Sequence, residues 1–208
     1  DLMPDELVYG DVSRISPEAA TPVLAVRRRE TQIGGAGNVA LNLAALGAHV
    51  SILSVMGADV NAGTLIRLFN EHHIHTSWLV QLVSRITTTK TRIISRSQHM
   101  LRLDAEITKE LSADDENALL QKVQQYIQDE QPQVIIFEDY NKGVLTERVI
   151  REITALCKQH GIITTVDPKR KNFFSYQGVD IFKPNLKEVK DGLNLLVEEV
   201  NLKTLDDI

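Results

Sequence analysis

Residues 134–167 read VIIFEDYNKGVLTERVIREITALCKQHGIITTVD, and this stretch decides the architecture. Val134–Phe137 is a short apolar run followed by Glu138, and Ile162–Val166 is another followed by Asp167. Between them, Val149, Ile150, Ile153 and Leu156 recur at the spacing that places apolar side chains on one helical face, which predicts a helix over Thr146–Lys158. Two strands joined by a helix of this size form a crossover unit, and a crossover unit makes its two strands parallel.

Working outward, the same alternation continues. Ser112 followed three residues later by Asp115 opens a helix whose Leu119, Leu120, Val123 and Ile127 share one face. Upstream, Val50–Val55 reads as a buried strand and Thr64–Phe69 as part of a helix; downstream, Ile181–Phe182 ends a further strand and Asn185 caps a short helix. The predicted fold is α/β, a mainly parallel central sheet flanked by helices. In such sheets the ligand crevice lies beyond the carboxyl ends of the strands, where Asp139, Asp167 and Asn185 fall.

Two stretches break the alternation. Thr21–Val26 is extended in character, as are Thr87–Ser95 and Met100–Leu103. Thr87, Thr89, Thr91 and Ile93 fall on one face, Thr88, Lys90 and Arg92 on the other. These segments predict a small antiparallel sheet, either a lid over the crevice or an edge extension of the core.

The 208 residues are 43% hydrophobic and 25% charged, suiting a single globular domain or one with a small appendage. The chain opens on Asp1 rather than Met, and a start upstream of it is expected. A formal charge of −5 argues against nucleic acid as the main partner. Neither a secretory leader nor an apolar run long enough for a membrane span is seen, and a cytoplasmic setting is expected. The single cysteine, Cys157, falls in the apolar pattern of its helix and is expected to be a buried packing residue. The basic clusters Arg27–Arg28–Arg29 and Lys169–Arg170–Lys171 read either as solvated faces or as phosphate contacts.

Gly34-Gly35-Ala36-Gly37-Asn38-Val39-Ala40 opens a helix that stops at Gly47. Counted from Gly35 it satisfies the dinucleotide fingerprint, but that motif needs an apolar strand immediately before the glycines. Arg27 to Gln32 is polar and basic, so a nicotinamide-dependent reading fails. Glycines at a helix N-terminus still let a ligand approach the backbone closely, and Asn38 offers a donor and an acceptor to a hydroxylated ligand or else caps the helix.

The run Tyr9-Gly10-Asp11-Val12-Ser13-Arg14-Ile15-Ser16-Pro17-Glu18-Ala19, the Gly34–Ala40 segment, Arg102-Leu103-Asp104, Asp139-Tyr140-Asn141-Lys142-Gly143, Asp167-Pro168-Lys169 and Lys183-Pro184-Asn185-Leu186-Lys187-Glu188 together resemble the ribokinase family. More narrowly they resemble its D-glycero-D-manno-heptose 7-phosphate kinases, often fused to an adenylyltransferase in ADP-heptose and surface-glycan precursor synthesis. The resemblance covers nearly the whole chain.

It implies a ribokinase-like α/β core with a small β-lid, here segments 7–33 and 76–104, through which such kinases often form homodimers. It also implies transfer of a phosphoryl group from ATP, with Mg2+, to a sugar hydroxyl. Asp5, Gly34, Gly35 and Asn38 would hold the sugar, with Asp139 beside it. Lys90, Arg92 and Arg102 would neutralise its phosphate, whose nearly two charges suit two or three cationic side chains. Lys169, Asn185 and Glu188 would serve ATP, with Glu188 toward the metal. A lone carboxylate acting through water suits Mg2+. Asn185 and Glu188, three apart, also have the spacing of a capping box.

The family's Gly-Ala-Gly-Asp segment, whose aspartate takes the proton from the sugar, does not occur in these residues, so no catalytic residue is assigned. The resemblance also places a first strand before Asp1, and Pro4 stands where an apolar residue is usual. Two readings follow: an active sugar kinase of which these residues are the N-terminal part, inert alone, or a sugar-phosphate-binding or dimerising module. Fructose and ribose kinases remain alternatives.

Overall fold

The computed structural model describes residues 1–194. Strands β1 (Leu2–Ile15), β2 (Pro22–Gly35), β5 (Thr89–Ser95) and β6 (Gln98–Ala105) form one four-stranded sheet in the order β2-β1-β5-β6. Strands β7 (Val134–Glu138), β8 (Ile163–Asp167) and β9 (Ile181–Phe182) form a parallel sheet, and β3 (Val55–Gly57) pairs in parallel with β4 (Val80–Leu82). The helices are α1 (Ala36–Ala45), α2 (Val60–Glu71), α3 (Ala113–Glu130), α4 (Glu147–His160) and α5 (Leu186–Gly192).

The predicted crossover unit is present as β7-α4-β8. Thr146 caps α4 by accepting from Val149 N–H, and Gly161 ends it in the left-handed region at φ 66°, where a glycine carries no Cβ penalty. Ser112 caps α3 in the same way, with Asp114, Asp115 and Glu116 in the first turn favoured by the helix dipole. Leu119, Val123 and Ile127 of α3 meet Val149, Ile150, Ile153 and Cys157 of α4 over Phe137 and Val166. Burial pushes the Cys157 thiol up to about 11, as suits a packing residue rather than a nucleophile.

Val50–Val55 departs from the strand expected there. It is extended and exchanges ladder bonds with 75–80 (Ile52 N–H to His75 O, His75 N–H to Val50 O, Val80 N–H to Ser54 O), but regular pairing begins only at Val55. Its other side and the free edge of β7 border a cavity of about 850 Å³.

The lid is a sheet of its own, not an edge of the core. It is mixed rather than wholly antiparallel: β1 pairs antiparallel with β2 but parallel with β5, Asp5 opposite Lys90. Two strands far apart in sequence leave the core side by side and run outward together. The second lid segment expected over 76–104 divides, since Val80–Leu82 pairs with β3 while Thr89–Ala105 enters the lid. Pro4 is buried within β1 and tolerated because β5 joins β1 only from Asp5 onward, so no ladder donor is missed there.

Asp59 fastens the lid to the core. It caps α2, accepting from Ala62 N–H (2.9 Å), and its second oxygen accepts from Thr87 N–H (2.7 Å) at the entry to β5. Burial opposes its ionisation, but the N–H donors of Thr87 and Ala62 outweigh it and hold the carboxyl below the usual range. Its contribution to stability is therefore full above the ordinary value of 3.8 and disappears as pH falls through the lowered folded value. Asp59→Ala is expected to cost about 1–2 kcal/mol in urea unfolding near neutral pH. The gap to the unsubstituted protein should be full near neutral pH and shrink as pH falls below the ordinary value of 3.8 and through the lowered folded value; a constant gap would rule out the ionised cap.

Candidate active site

The crevice lies between the inner face of the lid and the carboxyl ends of β7 and β8. Strand alternation and register put Asp5 on β1, Lys90 and Arg92 on β5, and Arg102 on β6 on one lid face: Asp5 is opposite Lys90, and Arg92 opposite Arg102. The Arg92 guanidinium lies 2.9 Å from the Asp5 carboxylate. Gly34 sits against that carboxylate so closely that a Cβ on it would be 2.8 Å from Asp5 Oδ2. Arg102 is more exposed and pairs with Asp104 at 3.0 Å.

The strand that precedes the glycines belongs to the lid segment expected over 7–33. It is β2, an antiparallel lid strand with a solvated face, so the dinucleotide arrangement still does not arise. Gly35 takes φ 59° and hands the chain to α1, with Ala36 N–H donating to Asp1 O (3.0 Å). Asn38, in the first turn of α1, is exposed and caps nothing, since the N-terminal residue Gly35 makes no side-chain cap.

On the core side, Lys169 pairs with Glu188 and lies 3.5 Å from Asp167, whose other oxygen holds Lys183 at 2.7 Å. Burial works against the Lys169 ammonium, but Glu188 and Asp167 outweigh it and keep its pKa above the usual lysine value. Glu138 responds in the opposite sense: burial and then Asp167 raise its carboxyl pKa. Asn185 and Glu188 do form the capping box, with Asn185 N–H donating to Glu188 Oε2 (2.8 Å) and Glu188 N–H to Asn185 Oδ1 (2.9 Å). Among the described residues no cluster of three or more His, Cys, Asp or Glu side chains could hold a metal. The local donors are carboxylate oxygens, the type Mg2+ accepts through water.

Asp139 does not face the crevice. It is 1% exposed and accepts from Asn172 Nδ2 (3.0 Å), Tyr176 OH (2.9 Å) and Asn141 N–H (2.8 Å), so it braces the crevice floor from inside the protein. The Arg27–Arg29 cluster lies on the lid, with Arg27 paired to Asp11 and Arg28 to Glu30 and over Tyr9. Of the second cluster only Lys169 enters the crevice; Lys171 pairs with Glu110.

Sequence reasoning assigned no role to Tyr140, whose ring lies 6.0 Å from Lys90 Nζ and 5.8 Å from Lys169 Nζ. It also missed Arg85, which donates to the carbonyls of Lys109 (2.9 Å), Ile107 (3.1 Å) and Lys142 (2.7 Å) and so ties the end of the lid to the loop carrying Tyr140. Carbonyl partners leave no trace in a residue pattern.

Comparison with known proteins bears on the same elements. Residues 5–205 match the pfkB family of carbohydrate kinases. The chain is 37% identical over 199 residues to the bifunctional protein HldE of Geobacter sulfurreducens, covering 96% of this chain and 40% of that protein. It is 46% identical over 191 residues to HldE of Rhodopseudomonas palustris strain TIE-1, covering 90% of this chain and 38% of that one. It therefore spans about two fifths of the relatives' length. Phosphofructokinase-2 from Escherichia coli in complex with substrates and products superimposes at TM-score 0.73 with 19% identity, over 99% of this chain and 64% of the other. Arabidopsis thaliana ribokinase complexed with ribose and ATP gives 0.65 at 15% identity, over 99% and 64%. These two likenesses show a ribokinase-like fold.

Proposed function

Because the chain belongs to the pfkB family of carbohydrate kinases, we propose that it carries the acceptor side of an ATP-dependent sugar kinase. We propose further that its acceptor is D-glycero-D-manno-heptose 7-phosphate, converted to the 1,7-bisphosphate. The observation that carries this reading is the inner lid face, where Asp5, Lys90, Arg92 and Arg102 stand together over the glycine turn. A carboxylate beside backbone at Gly34 and Gly35 suits sugar hydroxyls. Three cations suit a phosphate already on the sugar. The heptose itself rests on the motif resemblance and on relatives of the HldE type.

Phosphoryl transfer asks mainly for positioning and charge neutralisation. Asp5 and Asn38 orient the sugar; Lys90, Arg92 and Arg102 hold its phosphate. Lys169 is placed to meet the nucleotide phosphates, and Asn185 and Glu188 fix the first turn of α5 beside it. Mg2+ bound with ATP would supply further neutralisation of phosphate charge. A homodimer through the lid is supported by the lid's opposite face, where Leu101 and Leu103 are 56% and 51% exposed.

Calorimetric titration of the 208-residue chain tests the reading. Heptose 7-phosphate is expected to bind at least about tenfold more tightly than the unphosphorylated heptose, the loss of one charge-assisted contact or more. It should also bind more tightly than fructose 6-phosphate. Asn38→Ala should weaken sugar-phosphate binding and leave ATP binding unchanged. Equal affinity for the phosphorylated and unphosphorylated heptose would remove the phosphate role of the lid cations.

A further inference from the structure

We propose that Tyr140 reads the body of the acceptor sugar, separately from the cations that read its phosphate, and is a specificity-determining residue; the inference rests on the sugar-phosphate reading above. Three observations converge on it.

The first is position. Lys90 comes from the lid and Lys169 from the loop after β8, yet both ammonium groups lie about 6 Å from the one ring. That distance is the outer limit of a cation–π contact, so the ring holds neither lysine; Lys169 is held instead by Glu188 and Asp167, at the edge of the ring's reach. A sugar reaching from an acceptor-side cation to a donor-side cation would therefore pass close to this ring. The face of an aromatic ring packs well against the C–H side of a pyranose.

The second is rigidity. The Asp1 carboxylate accepts from Tyr140 N–H (2.8 Å) and Lys142 N–H (3.1 Å), and Asp139 accepts from Asn141 N–H (2.8 Å). Asn141 is held at φ 55°, and Gly143 packs on the Lys109 backbone so tightly that a Cβ would lie 2.2 Å from its carbonyl oxygen. Arg85 grips the Lys142 carbonyl from the far side (2.7 Å). A backbone held at four successive residues fixes the point from which the ring projects before any ligand arrives, and positioning of this kind favours discrimination between similar ligands.

The third is availability. Tyr140 is half-buried, with burial raising its phenol pKa, so the hydroxyl remains a protonated donor at neutral pH. Unlike Tyr176, whose hydroxyl is committed to Asp139, the Tyr140 hydroxyl has no hydrogen-bond partner among the described residues.

The test separates sugar from phosphate. The 208-residue chain, Tyr140→Phe, Tyr140→Ala and Lys90→Met are titrated with heptose 7-phosphate and with inorganic phosphate. Loss of the hydroxyl in Tyr140→Phe should weaken sugar-phosphate binding about 5- to 10-fold, and loss of the ring in Tyr140→Ala about 50-fold or more. Neither should shift the affinity for inorganic phosphate by more than about twofold, whereas Lys90→Met should weaken both ligands. Tyr140→Phe keeps the ring and guards against a folding effect. Unchanged sugar-phosphate affinity in both tyrosine variants overturns the proposal. So does an equal loss for inorganic phosphate in Tyr140→Ala, which would make the ring a mere spacer for the lysines. If the unsubstituted chain binds heptose 7-phosphate no better than inorganic phosphate, the sugar-phosphate reading itself fails, and the role of Tyr140 with it.

Discussion

Asp139→Ala is expected to destabilise the folded chain by about 3–5 kcal/mol, the usual consequence of breaking a buried charged network from one side. The carboxylate takes three donors with almost no exposure to water: Asn172 Nδ2, Tyr176 OH and Asn141 N–H. Burial, and after it Asp139, pushes the Tyr176 phenol far above the ordinary tyrosine value, so this hydroxyl stays a donor that needs an acceptor. Without the carboxylate, Asn172 keeps one acceptor, the Leu145 carbonyl at 2.8 Å, but Tyr176 keeps none among the described residues and has no route to water. The loss should appear in urea unfolding, and as a fall in Tm of roughly 10 °C for a chain of this size. Asp139→Asn retains one acceptor oxygen and should cost less. A stable Asp139→Ala that has lost only sugar-phosphate affinity would restore the direct ligand role that its place at a strand end suggested.

That residue shows where sequence reading stops. The β7-α4-β8 unit was legible because its periods and lengths agree: two apolar strand runs and one apolar helix face between them. The rule that ligands gather at strand ends also led to the region where Lys169, Glu188 and Tyr140 come together. It cannot tell which way a side chain turns once the strand has ended, and of Glu138, Asp139 and Tyr140 it is the middle one that points inward. The lid was legible as a separate extended region because Lys90 and Arg92 alternate with Thr89 and Thr91. Its parallel β1–β5 pairing was not, because it joins residues 85 positions apart and nothing local records it. Asn185–Glu188 shows a third situation: the capping box forms, and its glutamate also meets Lys169, a contact the spacing does not record. Local spacing fixes the turn, and only the neighbouring strand ends supply its cation.

The glycine segment gives the second large effect, because its glycines do different work at nearly the same place. A Cβ on Gly34 would lie 2.8 Å from Asp5 Oδ2, 2.9 Å from Asp5 Cγ and 3.2 Å from Met3 O. Moving the Asp5 carboxylate aside would disturb its 2.9 Å ion pair with Arg92. Gly34→Ala would therefore disturb together the Asp5 carboxylate and the Arg92 guanidinium, the groups proposed to hold the sugar and its phosphate. Sugar-phosphate affinity is expected to fall by about 100-fold or more, as when a positioned group is moved by about an ångström. A Cβ on Gly37 would instead meet Ile33 Cγ2 at 2.3 Å and Phe69 Cζ at 2.8 Å, inside the core formed with Leu65 and Ile74. Gly37→Ala should cost about 1–3 kcal/mol of stability through overpacking, with the binding of surviving folded protein little changed. Unfolding curves and calorimetric titrations of the two variants should thus separate in opposite directions. If Gly34→Ala binds as tightly as the unsubstituted chain, Asp5 is not an acceptor ligand, and the lid face must hold the sugar through its cations alone.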